Sequence, residues 1–182
     1  MSKIYDYITF IYIIYFFLLY EINSKVVEIK SENINNLEDV IIQNSQNDEN
    51  LVLTFNENYY NMSNFPFEGI NISITSNITF SGLTDGTVFD FKNFNNGFMK
   101  IMFKRNKGDT IKFENIIFKN FYPDIDIVYA FMFSYNFESD GNYIKYENCV
   151  FIDNNYTLFN IKMSYTKTIN SDYFISFDHC NF

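Results

Sequence analysis

The residues of this chain best suited to chemistry recur at nearly fixed intervals. Glu114, Glu147 and Asp178 each stand three residues into a repeated motif, and Lys112 and Lys145 precede the first two by two positions. Carboxylates stacked on strands about 4.8 Å apart repel one another by about 1 kcal/mol per pair in water. Such a stack draws in positive charge, either lysine ammonium groups or a hard cation that prefers oxygen. The lysines on the same face make a mixed ladder of surface charge the simpler reading, with a calcium site as the alternative. His179 is the single histidine, and no second one supports it in catalysis or metal binding. Arg105, the single arginine, falls in a loop before Gly108 with no acidic cluster next to it.

The elements that must position these groups follow from the repeat. IKFENIIFKN starts at Ile111, IKYENCVFIDN at Ile144 and ISFDHCNF at Ile175, with an earlier copy at Ile78; the starts are 33, 33 and 31 residues apart. A period of this size marks a solenoid. Two residues on stand Phe80, Phe113, Tyr146 and Phe177, and five residues on Leu83, Ile116, Cys149 and Cys180. The polar residues between them, Thr79, Lys112, Lys145 and Ser176, complete the alternation of a strand with one buried face. Further strands are expected in FMKIMFK from Phe98 and AFMFSYNF from Ala130, each leading through a Gly108 or Gly141 turn into the motif. Short third strands follow at Ile117 and Val150. Three strands per period without helices predict an all-β chain, a parallel β-helix of about four coils whose stacking buries a shared core. Gly82, Asn115, Asn148 and His179 hold one bend position, where Asn tolerates left-handed backbone and bonds to the Asn of the next coil. Cys149 and Cys180 share a rung of adjacent coils, with Cα atoms about 5 Å apart, inside disulfide range. Stacked thiols and a bridge both fit.

The run NNLEDVIIQNSQNDENLVLTFNENYYNM, Asn35 to Met62, followed by INISITSNITFSG and TVFDF, resembles the opening of the pectin lyase-like right-handed β-helix superfamily. The resemblance covers residues 35–182. It implies right-handed coils and a short N-terminal cap helix, for which Leu37, Val40 and Ile41 form one apolar side and Asn36 the N-cap. The later units are similar to repeats of polymorphic outer-membrane protein type, whose Phe-x-x-Asn mark fits Phe55–Asn58 and Phe151–Asn154; that family's Gly-Gly-Ala element is missing. Members that cleave polysaccharides use an outer acidic cluster, as calcium ligands beside a base or as paired carboxylates. Glu114, Glu147 and Asp178 are the nearest candidates here for a metal site. The superfamily's Asn-Thr-Asp, Asp-Asp, Gly-His-Gly and Arg-Ile-Lys signatures do not occur in order, so no catalytic residue and no cofactor is assigned.

Charge and length bound the rest. The 182 residues, 47% hydrophobic, suit one domain, and a net charge of -9 argues against nucleic acid. Residues 1–24 read as a secretory signal peptide: Lys3, a 13-residue apolar run from Ile8 to Tyr20, and the small exit residue Ser24. That run falls short of the roughly 20 residues of a membrane span. The mature domain is then 25–182, secreted or at the cell surface, with sequons at Asn61, Asn71, Asn77 and Asn155. Tyr59, Tyr60, Tyr122 and Tyr156 are candidate contacts for carbohydrate or another surface protein. The repeat stops at Phe182 in mid-motif, which predicts further coils beyond it and an exposed final rung of Ile175, Phe177, Cys180 and Phe182. These features point to a structural or adhesive role, with a partial or degraded polysaccharide-active enzyme as the alternative.

Overall fold

The computed structural model describes residues 24–45, 49–65, 69–93, 98–104, 108–122, 131–155, 157–164 and 174–182. The expected signal peptide lies outside these residues except for Ser24, as do Arg105, Ala130 and Tyr156. The period-two patterns all become strands: β1 (Ser24–Ile29), β2 (Asn50–Phe55), β3 (Tyr59–Asn61), β4 (Ile70–Ile74), β5 (Ile78–Ser81), β6 (Thr87–Asp90) and β7 (Met99–Phe103). There follow β8 (Thr110–Glu114), β9 (Ile116–Lys119), β10 (Phe133–Phe137), β11 (Tyr143–Glu147), β12 (Val150–Ile152), β13 (Phe159–Met163) and β14 (Ile175–Asp178). One short helix, α1 (Leu37–Asn44), follows a 3-10 turn at Ser31–Asn36.

The chain is mostly β, and every strand pair is parallel. The first sheet has the order β1-β2-β5-β8-β11-β14, the second β12-β9-β6-β3 and the third β13-β10-β7-β4, and none of them closes. From β2 to β13 the chain visits first, second and third sheet in strict rotation, so the strands make four complete rounds. The expected rungs pair as read: Ile78, Ile111, Ile144 and Ile175 are partners in series, and so are Phe80, Phe113, Tyr146 and Phe177. The ladder extends further forward than the motif suggests, through Leu51 and Leu53 of β2 to Lys25 and Val27 of β1. Neighbouring rings stack, Phe80 on Phe113 at 4.7 Å and Phe113 on Tyr146 at 5.0 Å between centroids. An apolar side chain pointing inward gains a like neighbour above and below, and that continuous stack is the core.

Two expectations need correction. Leu83 does not share a rung with Ile116; Thr87 does, because residues 83–86 form an inserted loop closed by the Gly86 N–H bond to Leu83 O. Thr87 is buried without penalty because its hydroxyl accepts from the Leu83 N–H at 2.9 Å and donates to Phe55 O at 3.1 Å. Asn36 does not cap α1 with its side chain. The 3-10 turn runs straight into the helix, and Leu37 N–H bonds to Ile34 O, so the first helical donors meet backbone rather than an Asn oxygen. Leu37 and Ile41 are buried, as expected of the apolar side.

The bends use the anticipated residues and one more set. Asn115, Asn148 and His179 have φ of 57, 52 and 50°, and Asn148 Nδ2 donates to Asn115 Oδ1 at 3.2 Å. Gly82 serves differently: a Cβ there would lie 2.3 Å from the Asn115 carbonyl oxygen, so close backbone approach demands glycine. A second left-handed set, Lys92, Asn93, Asn120 and Asp153, turns the chain out of the second sheet.

Candidate functional site

β8 and β11 each alternate an inward aliphatic or aromatic residue with an outward charge, which puts Lys112, Glu114, Lys145 and Glu147 on the outer face of the first sheet. Their register is direct: Lys112 beside Lys145, Glu114 beside Glu147, and Glu147 beside Asp178. The carboxylates therefore stack as their spacing implies. Lys112 Nζ lies 2.5 Å from Glu114 Oε2 and 2.6 Å from Glu147 Oε2, bridging two rounds. Ser81 Oγ donates to Glu114 Oε1 at 2.6 Å. Burial raises the Glu114 pKa, but the Lys112 and Ser81 bonds outweigh it and hold this carboxyl below its usual range. Burial likewise works against the charged Lys112, and its two carboxylate partners reverse the sign, raising its pKa. Asp178 stands apart, with its Oδ1 2.8 Å from His179 Nδ1 and both side chains exposed. Among the described residues no group of three or more His, Cys, Asp or Glu is placed to hold a metal ion.

A second polar cluster gave no sequence signal beyond an ordinary Asp in a strand. Asp90 of β6 faces outward yet is buried, under Tyr59 and Lys92. Its carboxylate accepts from the Lys92 N–H at 2.9 Å, Asn120 Nδ2 at 2.9 Å and the Tyr59 hydroxyl at 3.1 Å. Burial raises its pKa, and those three donors more than offset this, so Asp90 stays ionised and fully bonded. That arrangement anchors the second bend and leaves no lone pair aimed at solvent chemistry.

Of the two thiols, the buried Cys149 is a poor nucleophile. Cys149 Sγ donates to Phe113 O and Cys180 Sγ to Tyr146 O, each at 3.5 Å, the same relation one round apart. They thus occupy equivalent rungs, as expected, and both are free thiols. Burial pushes the Cys149 thiol up to about 12, so the reactive thiolate is scarce at neutral pH. Beside it the Tyr135 and Tyr146 hydroxyls bond to each other in the core, and burial raises both of their pKa values. No comparison with known proteins offers a template: no family model, curated protein or solved structure matches this chain.

The remaining candidates separate by exposure. Tyr59 and Tyr122 are 39% and 43% exposed, but Tyr60 is buried and donates its hydroxyl to Ile29 O at 2.6 Å; it closes the core and is not an outer contact. Among the sequons, Asn71 and Asn155 are exposed. Asn77 is exposed too, yet its amide clamps two rounds, donating to Asn50 Oδ1 at 2.9 Å and accepting from the Thr110 N–H at 2.8 Å. Asn61 Oδ1 accepts from Ser63 N–H and Oγ at 3.1 and 2.7 Å. A cleft of about 520 Å³ lies between α1 and β4, lined by Glu38, Ile41, Ile42, Ser45, Asn71, Ser73, Thr75 and Lys104. Among the described residues no helix is long and apolar enough to cross a membrane.

Proposed function

We propose that this chain is a secreted or cell-surface, non-catalytic protein, built as a right-handed parallel β-helix of the pectin lyase-like kind, with a structural or adhesive role. The observation that carries the reading is Lys112, set within 2.6 Å of two stacked carboxylates. A hydrolytic pair or a calcium ligand set needs those carboxylates open to substrate or ion, whereas a bridging ammonium uses them to tie one round to the next. The rotation of strands among three sheets and the unbroken rungs support the coil. A stack of this kind offers long outer faces with exposed Tyr59 and Tyr122 for carbohydrate or another surface protein.

The test is direct. The secreted protein, incubated with acidic polysaccharides with and without calcium, is expected to release no new chain ends, and its N-terminal sequence is expected to begin near Lys25. Calcium-dependent turnover lost in Glu114→Gln or Glu147→Gln would overturn the non-catalytic reading in favour of a polysaccharide-active enzyme. Recovery of the protein uncleaved in the cytosol would overturn the secreted one.

A further inference from the structure

The cleft beside α1 contains a sequon. Asn71 and Ser73 point outward from β4, on either side of the buried Ile72, and both line the 520 Å³ space. The opposite wall is α1, held in place because Glu38 Oε2 accepts the Asn71 backbone N–H at 2.9 Å along the edge of β4. That wall presents Ile42, 50% exposed, and the hydroxyl of Ser45. An exposed isoleucine among the polar lining residues Glu38, Ser45, Ser73, Thr75 and Lys104 suits a ring with one apolar face and hydroxyls around its edge, which describes a pyranose sugar.

We infer that Asn71 carries an N-linked glycan whose first N-acetylglucosamine packs into this cleft against Ile42. The inference rests on the secreted reading above. In the transfer, Asn71 Nδ2 bonds to C1 of the sugar while the C1–O bond to a lipid-linked pyrophosphate donor breaks; the Nδ2 proton leaves and the pyrophosphate departs as the anion. The other sequons differ in the folded chain. At Asn77 a sugar on Nδ2 crowds the bond that this nitrogen donates to Asn50 Oδ1, whereas at Asn61 the bonds from Ser63 are accepted by Oδ1 and survive glycosylation. Asn155 tolerates a sugar on its exposed side chain after β12, where its backbone N–H bonds to Phe121 O and not to the helix. The Asn71 sugar therefore stabilises the helix against β4, whereas one on Asn155 is only carried.

The experiment uses the full chain secreted from a eukaryotic host. Peptide mapping is expected to find Asn71 occupied. Trimming to the first sugar should leave the melting temperature unchanged, while Asn71→Gln and Ser73→Ala, which both delete the sequon, should each lower it by a few degrees. Asn155→Gln should shift it by less than one degree, and in an Ile42→Ser background the loss from Asn71→Gln should shrink to that level. Occupied Asn155 with bare Asn71, or equal shifts at both sites, overturns this inference and leaves the secreted reading standing. A secreted protein bare at every sequon overturns the inference alone, and a cytosolic protein bare at every sequon overturns both.

Discussion

The two ends of the stack treat the same rung differently. At the front, Leu53 is fully buried, with Val27 of β1 paired on its outer side and packed against the core. At the back, Phe177 is 39% and Phe182 71% exposed. Ring contact does not explain the contrast, since Phe113 to Tyr146 is 5.0 Å and Tyr146 to Phe177 is 5.1 Å, both stacked. What differs is cover on the second side. A ring in a stack of rungs contributes in proportion to the water excluded from both faces, so position along the stack matters more than contact with one neighbour.

The largest expected effect tests that contrast. Phe113→Ala removes a ring packed on both sides and should cost about 3–5 kcal/mol, while Phe177→Ala should cost less than about half as much. Urea unfolding followed by circular dichroism gives both values; equal losses would mean that stacking itself, not two-sided cover, sets the stability.

The bends sharpen the comparison at smaller scale. Asn148→Ala deletes the bond to Asn115 and leaves an alanine at positive φ, for an expected loss of about 1–2 kcal/mol. His179→Gly at the terminal bend should be neutral or slightly stabilising, because glycine relieves the same backbone strain where the side chain is exposed. A destabilising His179→Gly would show that the imidazole contact to Asp178 holds the last bend.

The smallest effect concerns charge. Glu114 has its pKa lowered in the folded state, so its contribution is present above the unfolded value of 4.5 and is lost as pH falls below it. Lys112 has its pKa raised, so its contribution is present below 10.5 and is lost as pH rises past that value. Partial exposure limits the sum to about 1 kcal/mol. Unfolding midpoints measured from pH 3 to 7 should fall on the acid side, and Lys112→Met should flatten that fall. An unchanged profile in the variant would mean that the Lys112 bridge adds nothing to stability.

Much of this architecture was legible because the repeat prints one side-chain requirement several times. Ile78, Ile111, Ile144 and Ile175 align in sequence and pair in space, and Glu114 and Glu147 stack where their spacing puts them. Leu83 misled because an insertion before Thr87 leaves the apolar pattern looking intact while moving the rung four residues on. Tyr60 misled because a tyrosine on a short strand reads as an outer aromatic until its hydroxyl finds the Ile29 carbonyl from the preceding round.

Local periodicity alone determined most of the strands, their inward faces, the register of the isoleucine and aromatic rungs and the bend at Asn115 and Asn148, since each depends on residues close in sequence or on a fixed period. Tertiary structure decided the rest. Asp90 became buried only when Tyr59, Lys92 and Asn120, 31 residues before it, two after it and 30 after it, closed over its carboxylate. The bridging of Lys112 from Glu114 to Glu147, the clamp of Asn77 to Asn50 and Thr110, and the cleft beside β4 are likewise relations between rounds. Such relations depend on which side chains meet across 27 or more residues, and hydrogen-bond geometry at that range is set by the packed backbone rather than by any local pattern.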